Sequence, residues 1–163
     1  MIEPELIHLT ADRPFPNNRL PVRLYRSAVQ GHDLAHEIES LFKSNGWGGT
    51  WRNGVFDFHH FHATAHEVLG CARGTVDVQL GGPNGQTVTL TAGDIVLLPA
   101  GTAHRNRGHS SDYLIIGAYP PGQSPDMEYG EAAQYQRVLG HIASVPLPER
   151  DPVTGEHGFP DRA

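Results

Sequence analysis

The middle of the chain, from residue 51 to about 119, consists of short apolar or alternating runs separated by turn residues. Strands bury side chains with a period of two, and clusters of Gly, Pro, Asn and Asp mark the turns between them. The glycine-rich segment 81–85 and the turn 91–94 are typical of tight hairpin connections. Strands are predicted in the runs GVFDFHHFH, HEVLGCAR, TVDVQL, QTVTLT, DIVLLP, AHRNR and DYLIIGAY. This density of short strands predicts a sandwich or barrel of the jelly-roll type.

The segments on either side of this region show other patterns. Apolar residues recur at helical spacing between residues 34 and 42, and the pair Asn45-Gly46 supplies a stop, which predicts a helix. A strand is predicted over 21–27, and the proline-broken first twenty residues predict an arm along the surface. After residue 119, one helix is predicted within 130–139, followed by a proline-rich tail.

Length and composition favour one globular unit. At 163 residues the chain can bury one continuous core, so we predict a single domain over 1–163, with an N-terminal arm, strand and helix (1–50), a barrel (51–119) and a C-terminal arm (120–163). The net charge of −6 argues against nucleic-acid binding, and no apolar run is long enough to cross a bilayer. Because no export signal is seen and Cys71 is the only cysteine, a cytoplasmic location is predicted.

Histidine is frequent, and its distribution suggests a metal site. The chain has eleven histidines, and four of them fall within eight positions: His59, His60, His62 and His66. In an extended segment, His60 and His62 share one face, whereas His59 and Phe61 point the other way. Alternation also turns His66 outward, although a bulge at the turn before it would rotate it inward.

Two further residues complete a candidate ligand set. Glu67 returns across a short turn beside the two imidazoles, and His104 follows the turn 99–101, which aims the next strand inward. Three imidazoles and a carboxylate suit a borderline divalent ion such as iron, manganese, nickel or zinc, with water or substrate in the remaining positions.

These residues lie in two motifs that resemble those of the cupin superfamily. The first motif runs through Gly54, five residues, His60-x-His62, four residues, Glu67, six residues and Gly74. The second runs through Gly93, five residues, Pro99-x-Gly101, two residues and His104, with Gly108 where the motif closes on asparagine and Asn106 nearby. In cupins the corresponding residues bind metal inside a jelly-roll barrel. The resemblance therefore implies one divalent transition metal ion per chain, bound by His60, His62, Glu67 and His104.

The wider chain, through HATAHEVLGCARG and VPLPERDPVTG, resembles a small single-domain bacterial cupin of the YjlB-like group. This implies a mainly β jelly-roll barrel with an N-terminal helix and extended terminal arms. We predict a metal-dependent oxidoreductase, dioxygenase-like, or an isomerase acting on a small polar organic molecule. The alternative is a non-catalytic cupin that binds or senses a small ligand. A homodimer is also predicted, in which at least one arm crosses to the partner and covers a sheet edge.

Other residues near the predicted ligands have open roles. Phe56, Phe58 and Tyr113 are predicted as core residues that also form the pocket wall. Cys71 has the strand parity of Glu67, and we favour a small buried hydrophobe over a nucleophile. Three arginines could orient an anionic substrate or lie solvated at the rim: Arg73, Arg105 and Arg107.

Overall fold

The computed structural model describes residues 2–157, so Met1 and residues 158–163 of the predicted C-terminal arm lie outside the described part of the chain. The elements in chain order are β1 (Glu5–Ile7), β2 (Val22–Tyr25), α1 (Leu34–Ser44), β3 (Gly48–Asn53), β4 (Glu67–Arg73), β5 (Thr75–Leu80), β6 (Gln86–Thr91), β7 (Ile95–Leu98), β8 (His104–His109), β9 (Leu114–Tyr119), a 3-10 turn (Ala132–Gln134) and α2 (Tyr135–Ser144).

The strands form two antiparallel sheets. The larger sheet has the order β1-β2-β7-β4-β9-β3, and the smaller has the order β6-β5-β8. Their inner faces share one apolar core. The predicted fold class is confirmed as a mainly β jelly roll with a helix near its N-terminus, although the two sheets do not close into one continuous hydrogen-bonded barrel. Among the described residues, neither helix has the length and apolar character needed to span a membrane.

Strand β4 shows how one sequence run serves both faces of the large sheet. Leu69 and Cys71 pack in the core between the sheets, while Val68 packs on the opposite face, under α1. Gly70 also lies under α1, and a Cβ there would come within 2.7 Å of the Ile38 side chain. Glycine at this position therefore lets the helix lie directly on the sheet. By the same alternation, Glu67 begins β4 on the inner face, so its carboxylate lies at one end of the core.

The prediction of a strand through residues 54–62 is wrong, because these residues form no regular strand. β3 ends at Asn53, and beyond it only two isolated bridges form, from His60 to His104 and from Phe61 to Glu128. Because these neighbouring residues pair with two different segments, no ladder can extend along either one. The predicted alternation of side chains nevertheless survives, since His60 faces the cavity and Phe61 packs in a separate apolar cluster.

The N-terminal segment is more than the surface arm that its prolines predict. β1 pairs with β2 at the edge of the large sheet. Asn17 is buried; its amide donates to the carbonyl oxygens of Thr10 and Gly81, and its Oδ1 accepts the backbone N–H of Ala103. The segment is thus anchored to the strand turns by polar contacts that a pattern of apolar residues does not reveal.

The C-terminal segment returns to the outer face of the large sheet. Its helix begins at Tyr135 rather than near residue 130, where Gly130 has φ +79° and lies against the Phe15 ring. After α2 the chain runs back so that the Arg150 carbonyl accepts the indole N–H of Trp47 and the Asp151 carboxylate binds Arg23. The described tail therefore covers α1 and β2 of its own chain.

Candidate metal centre

Four buried polar side chains meet at one end of the space between the sheets. His60 and His62 come from the loop before β4, Glu67 is the first residue of β4, and His104 is the first residue of β8. Reciprocal backbone hydrogen bonds join His60 and His104 and bring their ring centroids to 4.2 Å. All four side chains are at least nine-tenths buried. The structure thus brings together all four residues that the motifs select.

The ring nitrogens and the carboxylate converge. One ring nitrogen from each of His60, His62 and His104 lies within 4.8 Å of the others, a spacing that could hold a metal ion. Glu67 Oε1 lies 3.3 Å from His62 Nε2 and 3.5 Å from His104 Nε2. The carboxylate therefore borders the three-histidine group on the side of two of its members.

Backbone carbonyls fix the orientation of all three imidazoles. Nδ1 of His60 faces the Phe58 carbonyl oxygen at 3.0 Å, and Nδ1 of His104 faces that of Thr102 at 2.9 Å. Nδ1 of His62 faces the carbonyl oxygen of Asp126. A carbonyl oxygen can only accept, so each Nδ1 carries the proton and donates it. The Nε2 atoms are then the ones available to a metal ion, as in protein metal sites whose ligands are held by second hydrogen bonds.

The electrostatics of the group favour a cation among these atoms. Burial and the neighbouring His104 lower the pKa of His60 to about 3, so its imidazole is neutral at physiological pH. Burial opposes ionisation of Glu67, but hydrogen bonds from His104 and His62 outweigh it and hold the Glu67 pKa well below its usual range. Burial likewise opposes protonation of His62, yet the Glu67 hydrogen bond raises the pKa of His62. Glu67 is therefore held as an anion beside the three imidazoles, and a carboxylate with imidazoles is a donor set that fits a divalent transition metal.

The other two clustered histidines lie outside this group. His59 packs its ring against Phe15, with centroids 5.4 Å apart. His66 is buried, its Nδ1 accepts the backbone N–H of Ala100 at 2.8 Å, and its pKa is lowered to about 4 by burial, against a smaller opposing effect of the Pro146 carbonyl. Both point away from the cavity, as alternation predicts, but His66 ties two chain segments together rather than facing solvent.

A cavity of about 480 Å³ opens onto the three histidines. Tyr113 lines it as predicted, and its hydroxyl accepts the Val55 N–H at 3.2 Å. Phe56 and Phe58 correct the prediction that they are core residues. Their side chains are 52% and 40% exposed and stack on one another at the cavity mouth, because the loop that replaces the predicted strand carries them out of the core.

Gly54 of the first motif and Asn106 near the end of the second motif both help to place the Tyr113 hydroxyl. A Cβ on Gly54 would lie 2.0 Å from the Tyr113 hydroxyl, so only glycine leaves room for that oxygen. Asn106 donates its amide to the same hydroxyl at 3.2 Å, and its Oδ1 accepts the Gly108 N–H at 2.7 Å. Asn106 thus supports the chain at the position where the motif departs from its usual ending.

Sequence reasoning missed Tyr119, Trp51 and Asp126, which all line the cavity. The Trp51 indole N–H donates to the Tyr119 hydroxyl at 2.8 Å, and burial together with the charge of Glu67 raises the pKa of Tyr119. The Asp126 carboxylate accepts the backbone N–H groups of Ala63 and Thr64 beside its carbonyl contact with His62. These contacts join residues about sixty positions apart, and no local pattern signals them.

Comparison with known proteins gives one family. A model of the cupin domain matches residues 52–116. The uncharacterised protein YjlB of Bacillus subtilis is 34% identical over 146 residues, which cover 89% of this chain and 87% of YjlB.

Solved structures are similar at a lower level. The WlaRB TDP-quinovose 3,4-ketoisomerase of Campylobacter jejuni has a TM-score of 0.43 and 17% identity, over 54% of this chain and 73% of that chain. An acireductone dioxygenase of Bacillus anthracis, with a cadmium ion in its active centre, has a TM-score of 0.39 and 18% identity, over 57% of this chain and 64% of that chain.

Proposed function

The chain belongs to the cupin family, in a group with YjlB, and on that premise we propose that it binds one divalent transition metal ion through His60, His62, Glu67 and His104. The observation that carries the proposal is the convergence of three imidazoles whose Nδ1 atoms all face backbone carbonyls. Leaving this cluster without a cation would be costly, because four polar side chains would be taken out of water with mainly each other as partners on the cavity side. Iron, manganese, nickel and zinc all suit this donor set.

We further propose that the protein is an enzyme, a dioxygenase-like oxidoreductase or an isomerase acting on a small polar organic molecule. When bound, a metal ion supplies Lewis acidity and, if redox-active, electron exchange with dioxygen. The cavity volume of about 480 Å³ is in the range of small-molecule sites, about 300–1,000 Å³. Trp51, Phe56 and Leu69 give this cavity a partly apolar wall beside the histidines.

Elemental analysis of the protein purified from its own host tests the metal proposal. The expected result is close to one transition metal ion per chain, and protein that is free of metal after native purification would contradict it. Native iron would support the dioxygenase version, whereas zinc would favour isomerisation. Turnover assays on small acids, sugars and thiols, with oxygen uptake followed, separate an enzyme from a non-catalytic binding or sensor cupin.

Association and location are proposed as well. β1 forms one edge of the large sheet, and exposed sheet edges favour pairing with another chain, so we propose a homodimer. Light scattering at micromolar concentration is expected to give the mass of two chains, and the mass of one chain would contradict the proposal. The single cysteine, Cys71, is buried and free, which supports a reducing, cytoplasmic location.

A further inference from the structure

Three aromatic side chains form an exposed rim at the mouth of the cavity. Phe56, Phe58 and Tyr129 are 52%, 40% and 55% exposed, and their rings contact in series, with centroids 5.0 and 5.8 Å apart. Adjacent exposed aromatic rings usually mark a surface that contacts a ligand or a partner. Phe56 also lines the cavity and meets the His60 ring edge-on at 5.4 Å. The aromatic surface is therefore continuous from solvent to the histidine group. A ligand that binds in the cavity would contact this surface.

The cavity lacks a fixed cation. Among the described residues that line it, none is Arg or Lys, and the ionisable ones besides the histidines and tyrosines are the carboxylic acids Glu67 and Asp126. Arg105, on the neighbouring strand β8, bonds instead to Gln79. A ligand carboxylate or phosphate held away from the histidines would be buried with no counter-ion, which is unfavourable.

We propose that the ligand is a neutral or singly charged molecule in which one chelating oxygen group is attached to a flat unsaturated ring. The chelating group is directed to the histidine end, and the ring lies along Phe56 towards Phe58. Dicarboxylates and nucleoside diphosphates do not match, because their second anionic group finds no partner in this cavity. The inference rests on the proposed metal site and adds the class of molecule that it serves.

Two matched probes isolate the role of the ring. Acetohydroxamate and benzohydroxamate carry the same chelating group on a methyl and on a phenyl substituent. Calorimetric titration of protein loaded with zinc, its metal content measured first, should show benzohydroxamate binding about tenfold tighter, from added apolar burial and ring stacking. Phe56→Ala should remove most of this preference. Leu147→Ala, which truncates another exposed apolar side chain, is the matched control and should retain the preference.

A second pair of probes tests whether the cavity disfavours a ligand with an additional anionic group. 4-Methylcatechol and 3,4-dihydroxybenzoate share a chelating ring, but the second carries a carboxylate at the end away from the chelating oxygens. The carboxylate probe should bind about tenfold more weakly, because its charge would lie against the apolar rings of Phe56 and Phe58, with no Arg or Lys among the described residues that line the cavity.

The outcomes separate this inference from the metal proposal. If the protein takes up no zinc, the metal proposal fails before any probe is added. If zinc binds but the two hydroxamates bind equally, or 3,4-dihydroxybenzoate binds tighter than 4-methylcatechol, the ligand class is wrong. Dissociation of a dimer by Phe56→Ala, with the ring preference unchanged, would assign the aromatic rim to a second copy of the chain and would also overturn the inference.

Discussion

Two groups of buried ionisable side chains lie on opposite faces of the large sheet, and they differ in how their polar atoms are satisfied. On the outer face, Asp151 accepts from Arg23, from the Tyr25 hydroxyl and from the backbone N–H groups of Val153 and Thr154. On the inner face, each imidazole of the candidate metal centre has its Nδ1 against a backbone carbonyl, and one nitrogen from each ring converges beside a cavity, where Glu67 faces His62 and His104.

The two groups differ in the role that their buried charged and polar side chains can have. In the outer group, which we call the Asp151 cluster, both carboxylate oxygens of Asp151 accept hydrogen bonds, and the cluster joins the C-terminal segment to β2, so its role is structural. The candidate metal centre instead opens onto a cavity and gathers three imidazoles beside a carboxylate, which is the arrangement that the proposed metal ion requires. Burial alone does not separate the two groups, whereas access to a cavity and the convergence of imidazole nitrogens do.

The largest effect on stability is expected in the Asp151 cluster. Asp151→Ala removes the buried carboxylate that binds Arg23, the Tyr25 hydroxyl and two backbone N–H groups, and should lower the free energy of unfolding by about 3–5 kcal/mol. Equilibrium denaturation measures this loss. Metal content per folded chain should stay unchanged.

The matched control for Asp151→Ala is Glu39→Ala, which breaks an ion pair with the half-exposed Arg52 and should cost much less. Loss of metal in Asp151→Ala at full stability would contradict the separation of the two groups.

The metal centre should show the reverse behaviour. His60→Ala, His62→Ala and His104→Ala should each lose most bound metal, with affinity reduced about 100-fold or more, because each removes one ligand nitrogen. Glu67→Gln should weaken binding as well, since it removes the anionic donor. Added metal should no longer raise the melting temperature of these variants, because that gain comes from binding to the folded state.

His59→Ala is the matched control for the ligand variants, because its ring lies against Phe15 outside the cavity. It should keep near-normal metal content in elemental analysis. Equal metal loss in His59→Ala and His60→Ala would contradict the proposed set of four ligands.

Acid should lower the stability of the fold through His66, whose buried imidazole accepts the Ala100 N–H. Its folded-state pKa, about 4, lies below the unfolded value, about 6.5, so the unfolded chain binds more protons between these pH values. The free energy of unfolding should therefore fall as pH drops from about 6.5 to about 4, by up to about 3 kcal/mol, and this contribution should level off below.

His66→Asn keeps an acceptor for the Ala100 N–H and should flatten this pH dependence in urea denaturation of the metal-free protein. The exposed His32→Asn serves as the control. An equal pH slope in both variants would show that the buried His66 imidazole contributes nothing.

The smallest effect is expected at Tyr119. Tyr119→Phe removes the hydroxyl that links the Trp51 N–H to the Glu67 carboxylate, and metal affinity should fall about tenfold with little loss of stability. Competition with a chelator of known affinity measures the change. Tyr113→Phe is the control, because the Tyr113 hydroxyl contacts Val55 and Asn106 instead. A similar decrease in both variants would argue against a specific link from Tyr119 to Glu67.

The sequence predicts most of this architecture because its signals are local. Period-two alternation and turn residues locate β4 to β9, and motif spacing selects the four residues that the structure brings together. Their role as metal ligands remains a prediction. Phe56 and Phe58 were misplaced because alternation gives a side of the chain and not its depth. Asp126 and Tyr119 were missed because their contacts with His62 and Glu67 span about sixty and fifty positions, and depend on how the sheets stack.

The three backbone carbonyls that hold the imidazoles have a consequence for how this chain tolerates change in evolution and in engineering. Every residue type supplies a carbonyl, so substitution of Phe58 or Thr102 leaves the acceptor for the Nδ1 of His60 or His104 in place, whereas the Asp126 side chain also binds the Ala63 and Thr64 N–H groups beside its carbonyl. An insertion or deletion in these same loops moves the carbonyl itself and releases the ring that it orients. The orientation of these imidazoles should therefore tolerate substitutions in the loops better than insertions or deletions. Across related sequences, the lengths of these loops should vary less than the residues in them.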